Sequence, residues 1–284
     1  MWKGVCTMKT RKTAPLQVVL HVVLCLIAVA WLYPIIFAFC NSFKTTQEAL
    51  NHVLTLLPKA PTLENYKHVF ETLPFVKITC NTLIIACVVT SLKLVTSFMA
   101  AYSLVYFEVK GKNVLYFLML STMFIPFTVS MIPNYLLISK WGLSDSIYGV
   151  MLPQFADVLG IFMLRQSMRT IPKSLIEVAK LDHIGHRKTM MEIVLPIVKP
   201  ALCSTGIIFF INSWNEYVWP VLILKSKENY TLSLALQMYI SAEGGTNFPV
   251  AMAVSVMTMS IPLILYLFFQ RQIIDTFAMS GIKG

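Results

Sequence analysis

Charge is scarce in this chain. Asp, Glu, Lys and Arg make up 13% of its 284 residues, about half the share usual in a soluble domain. Three long stretches, 13–43, 113–139 and 244–270, contain none of the four, and 57% of the chain is hydrophobic. Such a composition excludes an ordinary soluble globular protein. No G-x-x-x-x-G-K-[ST] phosphate loop occurs, so the chain is not expected to hydrolyse ATP itself. The six cysteines lack C-x-x-C or metal spacing, and the five histidines form no ligand pattern, which argues against a metal or redox centre. No ten-residue run alternates apolar and polar residues, which excludes a membrane barrel. There is no 20–50-residue repeat and no aromatic-basic stripe, so solenoids and nucleic-acid binding are set aside. No nucleophile–base constellation stands out, and an enzyme is not expected.

What the chain has is apolar length. A bilayer core takes about 20 apolar residues per helix. Six candidate spans appear, at 16–39, 78–106, 114–138, 147–164, 201–224 and 250–270. The second, fourth and fifth each hold one charge, respectively Lys93, Asp157 and Glu216. Lys3, Lys9, Arg11 and Lys12 precede the first span in the manner of a signal peptide, but its apolar run is too long and no small-x-small site follows. Phe39 before Cys40 also spoils lipoprotein-type processing, so an uncleaved helix is expected. The expected fold class is all-α: a polytopic membrane protein with six transmembrane helices. An even number of spans puts both termini on one side. Fifteen Lys/Arg fall on that side and seven on the other, with Lys93 inside a span. The positive-inside rule then makes the termini cytoplasmic, together with the basic 165–199 loop, and reads the net charge of +10 as topology. The cysteines read as small packing residues; Cys40 and Cys80 fall near one face, with nothing requiring a bridge.

That basic loop is polar yet keeps a helical pattern. Pro172 suits an early helical position, and Ser174-x-x-Glu177 fits a capping box. Leu175, Val178, Ala179 and Asp182 recur at three- and four-residue steps, so one side of a helix can seat in a groove, and Ala179 is small enough for close approach. Gly185 allows a turn, 186–191 can form a second short helix, and Pro196 and Pro200 mark entry into the next span. The same pattern also fits an amphipathic helix lying on lipid.

At these residues the chain resembles the inner-membrane permease subunits of bacterial binding-protein-dependent ABC importers. Their signature, Glu-Ala-Ala, then Asp-Gly, then Ile-x-Leu-Pro before a span, is matched by Glu177-Val178-Ala179, Asp182 and Ile193-Val194-Leu195-Pro196. The resemblance includes Asn41-Ser-Phe-Lys44, Leu63-Glu-Asn-Tyr66, Ile132-Pro-Asn-Tyr135, Gly160-Ile-Phe-Met-Leu-Arg165-Gln166, Trp214-Asn-Glu216-Tyr-Val-Trp-Pro220 and Ser280-Gly-Ile-Lys-Gly284. This set is most similar to the carbohydrate-uptake branch, the second membrane subunit of maltose and glycerol-phosphate importers. It implies an N-terminal tail, first helix and periplasmic loop over 1–77, a type-1 transmembrane domain over 78–270, and a cytoplasmic tail over 271–284. It also implies a coupling helix between spans 4 and 5, in a loop at about 169–199. That helix would sit in a cleft of a cytoplasmic ATPase dimer, with Glu177, Val178, Ala179, Asp182, Gly185, Leu195 and Pro196 as the coupling residues. The implied partners are a second homologous permease subunit and an extracytoplasmic solute-binding protein, in a bacterial cytoplasmic membrane. No cofactor is implied in this chain; ATP and Mg would bind the ATPases. The sequence departs at the family's Gly after the Asp, which is His183 here, followed by Ile184. If that position takes positive φ, His bears it better than a branched residue, and Gly185 is expected to share the turn.

The embedded charges define a candidate translocation pathway. A Lys or Asp at mid-bilayer costs about 2.5–3.5 kcal/mol even on insertion scales, so each should face the bundle interior, a partner or water. Asn212, Trp214, Asn215 and Glu216 combine hydrogen-bonding groups with an aromatic face, the mixture a sugar needs; the same groups also serve as packing glue. Lys93 is expected to neutralise Glu216, Asp157 or a partner's acid. The resulting reading is ATP-driven import of a carbohydrate by alternating access. The alternatives are the same machinery moving glycerol phosphate or polyamine, and a self-contained secondary transporter.

Overall fold

The computed structural model describes residues 14–52, 55–240 and 247–281. Among them every regular element is helical and there is no strand. In hydrocarbon each backbone N–H and C=O needs an internal partner, and a helix supplies it within one segment. The described helices are α1 (Ala14–Asn41), α2 (Thr46–Asn51), α3 (Glu64–Thr72), α4 (Phe75–Tyr106), α5 (Lys112–Thr122), α6 (Phe127–Lys140), α7 (Ile147–Met151), α8 (Val158–Met168), α9 (Lys173–Leu181), α10 (His186–Lys188), α11 (Leu195–Asn215), α12 (Val218–Ile223), α13 (Leu232–Ile240) and α14 (Phe248–Gly281).

Four helical stretches can cross a membrane unaided: Gln17–Asn41, Phe75–Tyr106, His186–Asn215 and Phe248–Phe268. The other two expected spans fall on bent helix pairs, so the described residues offer four spans, or six where each pair crosses as one. α5 and α6 meet at 94°, and α7 with its 3₁₀ extension meets α8 at 42°. Pro126 stands at the N-cap of α6 and Pro153 in the 3₁₀ turn Leu152–Gln154, where their missing N–H groups cost least.

The fifth span corrects the expectation at both ends. It starts at His186 rather than 201, because the short helix expected at 186–191 runs directly into it through a π turn at Thr189–Val194. That turn absorbs Pro196, whose missing N–H cannot bond the Glu192 carbonyl in an α-helix. The span stops at Asn215, with α12 following only after a break at 216–217.

α4 is the central post and packs most extensively against α8 and α11. Two clusters divide the bundle along its length. At the α9 end, Phe98, Ala101 and Tyr102 of α4 meet Leu164 and Met168 of α8, Ile176 of α9, and Val194 and Val198. At the opposite end, Ile85 and Val89 of α4 meet Ile138, Val150, Met151, Trp219 and Ile223.

The 41–66 segment is folded tightly after α1. Lys44 is fully buried and donates to the carbonyls of His52 and Thr55 and to the Thr55 hydroxyl. Asn65 bonds the carbonyls of Ser42 and Lys44, each at 2.8 Å. The family-like Asn41-Ser-Phe-Lys44 run is therefore an internal clamp at the end of α1. Cys25, Cys40, Cys80, Cys87 and Cys203 are free thiols.

Candidate functional site

α9 begins at Lys173 because Pro172, at φ −57° and ψ 132°, occupies the N-cap without a side-chain cap bond. The expected Ser174–Glu177 capping box is not formed. Ser174 lies within the first turn, whereas an N-cap side chain needs extended backbone.

The helix ends because His183 adopts φ +54°. Its N–H donates to the Lys180 carbonyl at 3.1 Å, and the Ile184 N–H reaches the Ala179 carbonyl at 2.9 Å. This is the Schellman pattern, with histidine in the place glycine commonly takes. Gly185 does not share the left-handed turn: its φ is −67°, and a Cβ there would meet nothing.

The two sides of α9 have separate duties. Ile176 and Ala179 turn inward, and Ile176 joins the cluster that ties α4, α8 and α11 together. Ala179, only 2% exposed, is thus occupied inside the chain rather than open to close approach by a partner. Leu175, Val178 and Leu181 stand exposed on the other side, Leu181 by 77%, with Glu177 and Asp182 exposed beside them. Gly185 and Pro196 are exposed and Leu195 half-buried. The arrangement is an apolar stripe, edged with carboxylates, on a helix rooted in three membrane helices.

Lys93 and Asp157 come together between the two clusters. Lys93 Nζ lies 3.2 Å from Asp157 Oδ2, with side chains 13% and 27% exposed. Of the acids considered from sequence, Asp157 and not Glu216 is the partner. Asp157 Oδ1 also accepts the Leu159 N–H at 2.9 Å, capping α8 at the break in its span. α4 holds this break at further points: Thr96 Oγ1 donates to the Phe155 carbonyl (2.8 Å) and Ser97 Oγ to the Asp157 carbonyl (3.3 Å). Lys93 Nζ lies 5.2 Å from the Phe209 ring centroid on α11, within cation–π range. Gly160 is needed here, since a Cβ would fall 2.5 Å from Ser97 Oγ and 2.6 Å from Phe209 Cζ. The roles of Thr96, Ser97 and Phe209 carry no sequence signal, because uncharged residues in an apolar helix read as packing.

Glu216 sits in the second break. Its Oε1 accepts the N–H groups of Val218 (2.8 Å) and Trp219 (3.2 Å), so it caps α12. Asn212 and Asn215, one turn and less before it, are exposed, and Asn215 Nδ2 donates to the Ile211 carbonyl. Trp214 corrects its expected place: at 1% exposure it packs inside with Ile78, Ala86 and Leu232 and stacks on Phe210. No indole face is left for a ligand. Three polar residues of the expected set, Asn212, Asn215 and Glu216, thus share one stretch, apart from the Lys93–Asp157 pair.

A further polar joint, not anticipated from the sequence, pins the opposite end. Asp145 takes φ +55°; its N–H donates to the Ile223 carbonyl (2.8 Å) and its Oδ1 accepts the Lys225 and Ser226 N–H groups (2.8 and 3.0 Å). Partial burial opposes ionisation, but these backbone bonds, with help from Ser226 and Asn229 side chains, bring the carboxyl down to about 2. Trp219 Nε1 adds a bond to the Gly149 carbonyl at 3.3 Å. The segment before α7 and the one after α12 are thereby held as one piece. Gly142-Leu-Ser-Asp145 is the available signal, since Asp tolerates a left-handed turn.

Known proteins resemble this chain over most of its length. It is 31% identical over 278 residues to the arabinooligosaccharides transport system permease protein AraQ of Halalkalibacterium halodurans, covering 96% of this chain and 99% of that one. It is 29% identical to the sn-glycerol-3-phosphate transport system permease protein UgpE of Yersinia pestis bv. Antiqua, over 90% and 94% of the two chains. Its fold matches a chain in the crystal structure of a bacterial ABC transporter involved in importing the acidic polysaccharide alginate, with a TM-score of 0.79 and 24% identity over 93% of this chain and 98% of that one. Residues 93–277 match the family model for the inner membrane component of binding-protein-dependent transport systems, and the chain belongs to that family.

Proposed function

We propose that this chain is the permease subunit of an ATP-driven importer that carries an oligosaccharide across the bacterial cytoplasmic membrane. The observation that carries the reading is α9, whose exposed Leu175, Val178 and Leu181 face has no partner within the described chain while its inner face is rooted in α4, α8 and α11. A helix built this way passes a push from a soluble partner to the membrane helices. That partner is a cytoplasmic ABC ATPase dimer, which binds the ATP and Mg and takes this stripe into a cleft, with Glu177 and Asp182 at its rim. The excess of Lys/Arg on the side of the termini supports a cytoplasmic position for α9 and both termini.

Asn212 and Asn215 are exposed amides in a membrane span, and lipid cannot satisfy them. They face the second permease subunit or the water-filled path between the two, and with Glu216 they offer donors and acceptors to sugar hydroxyls. Solute would reach the outer mouth on a binding protein. Lys93, the cation nearest the middle of the spans, is already paired with Asp157, which favours an uncharged sugar over the phosphate ester that the UgpE relatives carry in their name.

The test reconstitutes the complete importer and follows uptake of a labelled arabinooligosaccharide and of sn-glycerol 3-phosphate. Uptake of the sugar that requires ATP, and its loss in a Val178→Glu, Leu181→Glu variant that no longer retains the ATPase, are the expected results. Uptake indifferent to removal of the ATPase would point to a secondary transporter, and uptake of the phosphate ester alone would overturn the sugar assignment.

A further inference from the structure

The two packed ends of the bundle are joined unequally. Near its α9 end, α4, α8 and α11 form one cluster with the coupling helix, and at the other end α4, α6, α7 and α12 form a second. Span 4 is interrupted between these clusters at 155–157 and span 5 at 216–217, whereas α4 runs unbroken past both levels. A displacement that starts at α9 can therefore reach the far end along α4 without crossing a break, whereas along the chain of span 4 or span 5 it meets one.

The break in span 4 is tied to α4 three times, by Lys93 to Asp157, Thr96 to the Phe155 carbonyl and Ser97 to the Asp157 carbonyl. The break in span 5 is held by no ion pair among the described residues: Glu216 bonds Val218 and Trp219, Ser233 Oγ on α13 donates to the Trp214 carbonyl before it, and the Trp219 indole donates to the Gly149 carbonyl after it. Asp157 divides its work between two oxygens, Oδ1 for the cap of α8 and Oδ2 for Lys93. Sliding α8 along α4 would pull opposite charges apart in a low-dielectric setting, where separation costs far more than in water.

We propose that Lys93 is a positioning residue for the transport stroke: its pairing with Asp157 makes α4 and α8 move as one unit, so that motion imposed at α9 reaches the α7–α12 end. Bending is thereby left to the break at Glu216–Tyr217, which no ion pair among the described residues holds. The proposal rests on the reading of α9 as the ATPase-driven element.

The experiment uses the complete importer in nanodiscs, with native cysteines replaced. One spin-label pair links Lys180→Cys on α9 to the ATPase, and a second links Lys225→Cys, beyond α12, to Thr72→Cys at the end of α3. Both distances are measured without nucleotide and after trapping with ATP and vanadate. The unmodified chain is expected to shift at both pairs, and Lys93→Arg to behave likewise.

Lys93→Met leaves a buried carboxylate alone and is expected to lower the yield of assembled complex. The double variant Lys93→Met, Asp157→Asn removes both charges and keeps the Oδ1 cap, so yield should recover. Its α9 pair should still shift while the far pair loses at least two-thirds of its response. A double variant with a full response at the far pair would overturn the proposal, because the ion pair would then serve packing alone. Loss of the far response in Lys93→Arg as well would overturn it too. An unmodified importer that shows no ATP response at the α9 pair would overturn the ATPase reading and this proposal together.

Discussion

The turn at His183 gives the sharpest local test. A non-glycine residue in the left-handed region costs about 1–2 kcal/mol, and histidine, unbranched at Cβ, lies toward the lower end of that range. His183→Gly removes this cost but gives the unfolded chain more freedom, which takes back about 0.4–1 kcal/mol. The net gain is about 0–0.6 kcal/mol in holding the C-terminus of α9. His183→Val should lose about 1 kcal/mol or more, since branching at Cβ makes positive φ a strained outlier. Gly185→Ala acts in the opposite sense to what a glycine turn would require: φ is −67° and no atom stands within 4 Å of the new Cβ, so it should be neutral or gain up to about 1 kcal/mol. Amide hydrogen exchange of the purified subunit reads this at the bonds Ile184 N–H to Ala179 and His183 N–H to Lys180. A tenfold rate change corresponds to about 1.4 kcal/mol, so His183→Gly should leave exchange of the Ile184 amide unchanged or slow it by up to about threefold. Faster exchange in His183→Gly, or strong loss of protection in Gly185→Ala, would refute the assignment of the turn.

Three further outcomes follow from the same contacts. Gly160→Ala puts a methyl 2.5 Å from Ser97 Oγ and 2.6 Å from Phe209 Cζ, and should cost about 1–3 kcal/mol by overpacking, seen as a lower midpoint in thermal unfolding; Gly149→Ala meets the Leu143 carbonyl at 2.3 Å, backbone that cannot swing aside, and should be worse. Lys44→Met takes its donor from the Thr55 carbonyl, while the His52 carbonyl keeps the Thr55 N–H and hydroxyl, so about 1–3 kcal/mol is expected to be lost, with protease cutting near 55–60 as the assay. Asp145 titrates at about 2, below its ordinary 3.8, so its contribution is complete above about pH 5 and fades as pH falls through 4 toward 2. Being partly solvated it is worth about 1 kcal/mol, and Asp145→Asn should flatten that part of the stability–pH curve in calorimetry.

Much of this arrangement is legible in the chain, for identifiable reasons. Charge-free runs such as 13–43 predict helices because hydrocarbon length and backbone bonding leave no other solution. The α9 segment is legible because Leu175, Val178, Ala179 and Asp182 recur at three- and four-residue steps, and because Pro172 marks its start. Less legible are the breaks. The sequence of span 4 suggests one helix of about twenty residues, yet Pro153 and the capping preference of Asp157 split it, and only packing against Thr96 and Ser97 decides where. Trp214 reads as an aromatic face for a sugar and Ala179 as surface for a partner because sequence shows residue type but not azimuth; burial turned both inward.

By itself the sequence determined the helical class, the membrane environment, which loop is basic and that a short helix lies in it, since each depends on composition or on spacing within one segment. Only the tertiary structure decided that Lys93 pairs with Asp157 while Glu216 caps its own helix, that Asp145 joins the two segments it bridges, and that His183 rather than Gly185 carries the left-handed turn. The Lys93–Asp157 pair and the Asp145 joint depend on which helices lie side by side, as a charge finds a partner by distance across the bundle and not along the chain. The last depends on backbone strain tolerated at one residue, which surrounding hydrogen bonds impose and no local propensity reveals.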